Sequence, residues 1–385
     1  MDIFREIMRM KSDQNYRPDF LYFKHTILHK EPGPIPFGEL FADFEMVGND
    51  LNQNVIDYAK ILEEPSGKLS LKDILGGLRY VDQSIKFCLH HGWDYVYCFS
   101  PIPFPGFSYL LGENTSQEVV DGRKRFWVND QTGPIQSWDD FERYPWPENI
   151  RGINLLSRIM AKRVPNGMKV MVIPGGVFEW TSWLMGLTPF CFAVLDQPDL
   201  VDAIVEKVAD IIYRVVEDIL QEPQVGGIFM GDDLGFNSGT MISPEVLRKK
   251  FLPHTARIVD LTHQAERLFL FHSCGDMFAV MDDLIEMGID GKHSFEDKIK
   301  PVEAVYQQYS DRVAIIGGVD MGIMAAGTEE DVRKRTREIL DVCGHAGHYV
   351  LGTGNSAANY IPLLNYQAMI DEGRRWNREY FPGES

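Results

Sequence analysis

The residues best placed to do chemistry in this chain are His272 and Cys274, at the end of the apolar run Leu268-Phe-Leu-Phe-His-Ser-Cys-Gly275. Such a run predicts a buried strand, and side chains two apart in a strand share a face. An imidazole beside a thiolate suits Zn²⁺. For any His-x-Cys pair the ordinary alternative is a small buried thiol next to a satisfied core histidine. The surroundings favour a site. Glu179, Asp232, Asp233, His293, Glu296, Asp320 and Asn355 all fall where a predicted strand gives way to the next segment. One acid in such a place is usually a helix cap or a solvated turn. Their recurrence from strand to strand carries more weight. A His/Cys pair ringed by carboxylates composes a mixed N/S/O zinc site with an open position, able to polarise a substrate oxygen or to hold a thiolate nucleophile.

The elements that must position these groups are regular in the second half of the chain. Val170–Ile173, Gly226–Met230, Leu268–Phe271, residues 289–293, Val313–Ile316 and His348–Leu351 read as strands. Between them run helical patterns, such as 199–220 with Val201, Ile204, Val205, Val208, Ile211, Ile212, Val215 and Ile219 on one face. Ser243 before Pro244 predicts a capped helix start running to about 265, and Val177–Trp180 reads as a loop. Earlier come a strand-like segment at Ile35–Phe41, a helix over 72–91 and a strand over Trp93–Phe99. Strands alternating with helices imply parallel pairing with right-handed crossovers, and about eight strands imply an α/β fold, the (β/α)₈ TIM barrel. An open doubly wound sheet is the other architecture, but no Gly-x-Gly-x-x-Gly or P-loop follows a strand. Residues 1–32 have no clear period and are expected to form an N-terminal arm. Residues 33–385 are expected to be a single catalytic domain, with an insertion at about 103–150 near the site and a hairpin around Arg125-Phe-Trp-Val and Gly133-Pro134. Tyr95, Tyr97, Phe99, Phe104, Phe107 and Tyr109 are candidates for the wall of an apolar pocket.

A barrel with an insertion accommodates all 385 residues. The balance of 38 Lys+Arg against 56 Asp+Glu, a net −18, disfavours nucleic acid or an anionic membrane as partner. Five cysteines, an odd number without a Cys-x-x-Cys pair, argue against a disulfide framework and a zinc ribbon and for a reducing cytoplasm. No signal peptide or membrane-length apolar run is evident, so a soluble cytoplasmic protein is expected.

From about Pro34 to Trp376 the chain resembles the uroporphyrinogen decarboxylase and cobalamin-dependent methyltransferase superfamily. The resemblance rests on Ile35-Pro-Phe-Gly-Glu, Gly231-Asp-Asp, Ile242-Ser-Pro-Glu, Phe251-Leu-Pro and His272-Ser-Cys-Gly, and continues through Met287-Gly-Ile-Asp-Gly, Val313-Ala-Ile-Ile-Gly-Gly-Val-Asp, Gly352-Thr-Gly-Asn and Ile361-Pro-Leu-Leu-Asn-Tyr-Gln-Ala-Met. The decarboxylase branch implies an Arg-rich N-terminal loop to neutralise a polycarboxylate, and His25–Leu40 contains no Arg. The methyltransferase branch implies His272 and Cys274 as zinc ligands, with a corrinoid protein and a small methylated donor as partners. No Asp-x-His-x-x-Gly motif occurs, so the cobalamin is expected on a separate protein. Where thiol-methylating relatives supply a third Cys ligand, this chain has Asn355. Two readings follow: a carboxylate such as Glu179, Asp232 or Asp233 replaces that Cys, or no metal is held, Asn355 contacts substrate and His272 is a general acid. The reading adopted is methyl transfer from an O- or N-methylated donor, with His272, Cys274 and Glu179 on the metal and Asp232, Asp233, Glu179, His293 and Asn355 catalytic. The alternatives are a decarboxylase-like lyase and a non-catalytic binder of a tetrapyrrole or small ligand.

Overall fold

The computed structural model describes residues 16–53, 71–100, 102–107, 109–111, 126–128 and 131–383. Seven parallel strands form one sheet in chain order: β1 (Tyr95–Phe99), β2 (Lys169–Ile173), β3 (Val225–Gly231), β4 (Leu268–His272), β5 (Gly291–His293), β6 (Ala314–Ile316) and β7 (Tyr349–Val350). Consecutive strands are neighbours throughout, as single right-handed crossovers require. The sheet curls, and Phe37 makes parallel bridges both to Trp93, just ahead of β1, and to Leu351, just past β7. Gly38 N–H donates to the Leu351 carbonyl and Leu351 N–H to the Pro36 carbonyl. The predicted strand-like segment at Ile35–Phe41 is therefore reduced to one bridging residue between the sheet edges, in a TIM-barrel-like arrangement.

The strands are apolar on both faces because helices cover the outside and side chains fill the inside. Helix Pro198–Ile219 buries the predicted stripe, with Pro198 in its first turn. Several expectations are corrected. Val177–Trp180 is not a loop but the first turn of helix Val177–Met185. Helix Leu187–Asp196 follows it directly, Gly186 at φ 79° making the break. The predicted helix from Ser243 is broken by a π turn at Leu247–Phe251 before helix Leu252–Gln264, because Pro253 has no N–H for the regular ladder. A short helix, Met321–Ala326, sits between β6 and the predicted helix, here Glu329–Cys343. Within residues 16–32, Phe20–Leu28 is a helix capped by Asp19 that buries Phe20, Phe23 and Ile27. Its period is hidden in the sequence by the alternation of aromatic and charged residues.

Residues 1–15 of the expected arm lie outside the described residues, as do 101, 108, 112–125 and 129–130 in and beside the expected insertion. Of the hairpin expected around Arg125-Phe-Trp-Val and Gly133-Pro134, Phe126–Val128 pairs antiparallel with the earlier Tyr109–Leu111, and Gly133-Pro134 takes no part in that pairing. The Ile135 N–H donates to the Leu184 carbonyl, which seats this part of the chain on helix Val177–Met185.

Ile212 is fully buried in the stripe of helix Pro198–Ile219. Ile212→Ala should lower unfolding stability by about 2–5 kcal/mol through lost burial and the cavity left behind, measured as a shift in urea midpoint at unchanged slope.

Candidate functional site

The strand ends of β3, β4 and β5 lie level, with Gly231 paired to His272 and His272 to His293. From this row the chain places its reactive groups. Cys274 turns back so that its Sγ lies 3.4 Å from His272 Nε2. Its backbone N–H donates to Asp233 Oδ1 at 2.8 Å, and that oxygen is 3.6 Å from His272 Nε2. Asn355 Nδ2 donates to the Cys274 sulfur at 2.9 Å. Gly275, at φ 76°, makes the turn possible, since a Cβ there would fall 2.4 Å from the backbone of Gly235.

Behind this front lies a buried relay. His272 Nδ1 and His293 Nδ1 are 2.7 Å apart, so one ring carries the proton that the other accepts. Burial pulls His272 down to about 3 and His293 well below the usual range, so both rings are neutral. His293 Nε2, fully buried, is 3.8 Å from Glu39 Oε2. Glu39 accepts from the Thr353 N–H and hydroxyl at 2.7 and 2.9 Å, and burial raises it to about 8. With His272 Nε2 facing the sulfur, its Nδ1–H donates to His293, whose Nε2 makes no hydrogen bond among the described residues. The His293 ring behind His272 orients the nitrogen that would ligate and fixes its tautomer.

The acids divide their work. Asp232 accepts the N–H groups of Phe178 and Glu179 at 3.2 and 2.8 Å, capping helix Val177–Met185 from a neighbouring strand. Gly176 permits that approach, because a Cβ there would meet the Asp232 carboxyl. Burial pushes Asp232 up to about 7, opposed by these backbone donors. Burial also raises Asp233, opposed by the Cys274 N–H. Glu179, in the first turn of that helix, is held well above the carboxylate range by burial and by the charges of Asp233 and Asp232.

The structure thus brings together His272, Cys274, Asp233, Asn355 and His293, with Glu179 among the neighbouring acids. Asp320 is turned away to cap helix Met321–Ala326, and Glu296 lines a small cavity with Met277, Phe278 and Lys292. The aromatics also separate. Tyr95 and Tyr97 are fully buried with hydroxyls on the carbonyls of Glu39 and Ala42, whereas Phe104 and Phe107 pack on Trp180, next to Glu179. The side chain of Tyr109 lies outside the described residues.

Sequence reasoning did not single out Glu39, Thr353 or Lys292. An acid directly after the strand-like segment at Phe37 was the available signal for Glu39. Lys292, inside a strand, offered none. Its ammonium is buried and donates to the carbonyls of Ser273, His293 and Ser294 at 3.0, 2.7 and 3.2 Å, tying together the segments that present Cys274 and His293. Burial pulls it down to about 7.

The fit of a metal rests on the donor set. His272 Nε2, Cys274 Sγ and an Asp233 oxygen lie within 4.8 Å of one another. Tetrahedral Zn²⁺ with bonds of 2.0–2.3 Å sets neighbouring donors about 3.3–3.6 Å apart, a span that contains the 3.4 and 3.6 Å found. The carboxylate in this group is Asp233, not Glu179. Burial holds the Cys274 thiol well above its ordinary range, and a bound cation would reverse that. These residues fit zinc.

The sequence model of the family described as uroporphyrinogen decarboxylase (URO-D) matches residues 130–376. A search of curated proteins returns no match. Among solved structures, a methyltransferase from Methanosarcina mazei superposes with a TM-score of 0.62 at 13% identity, over 91% of this chain and 97% of that one. A B12-independent methionine synthase from Shewanella sp. W3-18-1, in complex with selenomethionine, gives 0.53 at 12% identity over 91% and 98%. A putative vitamin-B12 independent methionine synthase from Listeria monocytogenes gives 0.51 at 13% over 91% and 99%. At these identities the likeness is one of fold. No helix among the described residues is long and apolar enough to cross a membrane.

Lys292→Met should cost about 3 kcal/mol or more by leaving three buried carbonyls without their donor, read as a lowered urea midpoint. An unchanged midpoint would remove Lys292 from this structural role.

Proposed function

Because this chain belongs to the uroporphyrinogen decarboxylase (URO-D) family, in which both decarboxylation and methyl transfer are at issue, we propose that it is a zinc-assisted methyltransferase component. It takes a methyl group from a small O- or N-methylated donor and passes it to a corrinoid carried by a separate protein. The observation that carries this reading is the donor set of His272, Cys274 and Asp233 at zinc-ligand spacing, backed by the hydrogen-bonded, neutral His272–His293 pair.

When bound, zinc would supply Lewis acidity at the leaving heteroatom. The chain's own groups do the rest. His293 holds His272 in the tautomer that leaves Nε2 free, and Asn355 steadies the sulfur by donating to it. As the methyl carbon bonds to the incoming nucleophile, the carbon–heteroatom bond breaks and its electron pair stays on the heteroatom. That atom then takes the proton stored on Glu179, which turns a poor anionic leaving group into a neutral one. Phe104, Phe107 and Trp180 give the neighbouring wall an apolar face for the donor's body. The decarboxylase reading fares less well. The one buried lysine at these strand ends is spent on backbone carbonyls, and His25–Leu40 holds no Arg to neutralise a polycarboxylate.

Metal analysis tests the reading first. Cys274→Ser and Asp233→Ala should each lower the zinc content of the zinc-supplied chain by about one equivalent; zinc content indifferent to both variants leaves the mechanism without its metal. The second test is methyl transfer from a panel of methoxylated aromatics and methylamines to Co(I)-cobalamin. Glu179→Gln should lower kcat about 10²–10⁴-fold with zinc retained. Raising pH through the elevated pKa of Glu179 strips its proton, so wild-type activity should fall on the alkaline side and the variant should lose that limb.

A further inference from the structure

A second group of metal-capable side chains lies outside the site just described. Helix Phe44–Asp50 ends on Asp50, and helix Leu71–His91 ends on His90 and His91. The Asp50 carboxylate has no exposed surface. Its Oδ2 is 2.8 Å from His90 Nδ1 and its Oδ1 is 3.3 Å from His91 Nε2. Donor atoms of all three residues lie within 4.8 Å of one another.

Two features distinguish this group from an ordinary ion pair. The His91 ring is buried against the rings of Phe87 and Tyr366, yet its Nε2 meets Asp50 without the alignment of a hydrogen bond and has no other hydrogen-bond partner among the described residues. A buried ring nitrogen in that condition is costly unless something else completes it. The second feature is electrostatic. The last turn of a helix carries negative partial charge on its free carbonyls, and here two helices end at one point, one of them on an aspartate. A cation between them would be favoured by both helix ends and by the carboxylate.

We propose that Asp50, His90 and His91 form a second binding site, independent of Cys274, for a divalent transition-metal ion of the zinc class. Two imidazoles and a carboxylate suit zinc, cobalt or nickel, whereas magnesium and calcium prefer all-oxygen shells. The ion would clamp the ends of the two helices. Arg374 donates to the His90 carbonyl at 2.9 Å and Gln367 reaches Asp50 Oδ1 at 3.5 Å, so the clamp extends to helix Leu363–Tyr380. His90, the partly exposed member, leaves a route for the ion to enter.

The test uses the full chain carrying Cys274→Ser, so that loss of the first site cannot be mistaken for loss of the second. After chelation and supply of zinc, this chain should retain about one equivalent of zinc and gain thermal stability from it. Adding His90→Gln, or separately Asp50→Asn, should weaken zinc binding at least tenfold and abolish the zinc-dependent rise in Tm. Circular dichroism of each metal-free variant checks that it is folded. Cobalt supplied to the Cys274→Ser chain should give d–d absorption without a thiolate charge-transfer band. The proposal is overturned if the Cys274→Ser chain binds no zinc, or binds it equally well with His90→Gln added; in those cases the histidines serve only as hydrogen-bond partners of Asp50. Neither outcome bears on whether Cys274 itself holds a metal.

Discussion

The mouth of this fold depends on the register of three adjacent parallel strands. Pairing Gly231 with His272 and His272 with His293 brings two imidazoles level and leaves Asp232 and Asp233 as the next residues on the neighbouring strand. In a parallel pair a slip of one residue turns every side chain to the opposite face, so the short contact between the two Nδ1 atoms exists in one register only. Lys292 reinforces that register from behind by gathering three carbonyls from the ends of β4 and β5. Burying a lysine is costly, and the three hydrogen bonds its ammonium makes to carbonyls offset that cost.

Charge is the second constraint. Asp232, Asp233 and Glu179 crowd within one buried region, and the histidines beside them are neutral. Three carboxyl groups cannot all ionise there without a counter-charge, so the region separates their roles. Asp232 is held by backbone N–H groups at a helix start and Asp233 by the N–H of Cys274, whereas Glu179, with no such donor among the described residues, is pushed up by burial and by the charges of Asp233 and Asp232. Neighbouring carboxyl groups in environments this different are the kind that can divide acid and base roles.

Two positions show how closely backbone must approach backbone for this to work. Gly275 passes the chain of Gly235, and Gly176 lets a helix start close over Asp232. Neither contact follows from any local preference. Each exists because strands distant in sequence end side by side.

What the sequence determined by itself was the periodic part: alternating apolar strands and amphipathic helices and the parallel α/β architecture they force. These are short-range properties, read from spacing of two and of about 3.6 residues. The expected shared strand face of His272 and Cys274 gave way to a strand that ends at His272, with Cys274 turning back beyond it. Tertiary structure decided which residues meet across strands. It chose Asp233 over Glu179 as the carboxylate nearest His272 and Cys274, assigned Asp232 and Asp320 to helix caps, and set Asn355 on the sulfur as a hydrogen-bond donor. It also recruited Glu39 and Lys292, which sequence spacing did not single out. Register, burial and the direction of a capping carboxylate arise from contacts between segments tens or hundreds of residues apart, and no pattern within a single strand or helix encodes them.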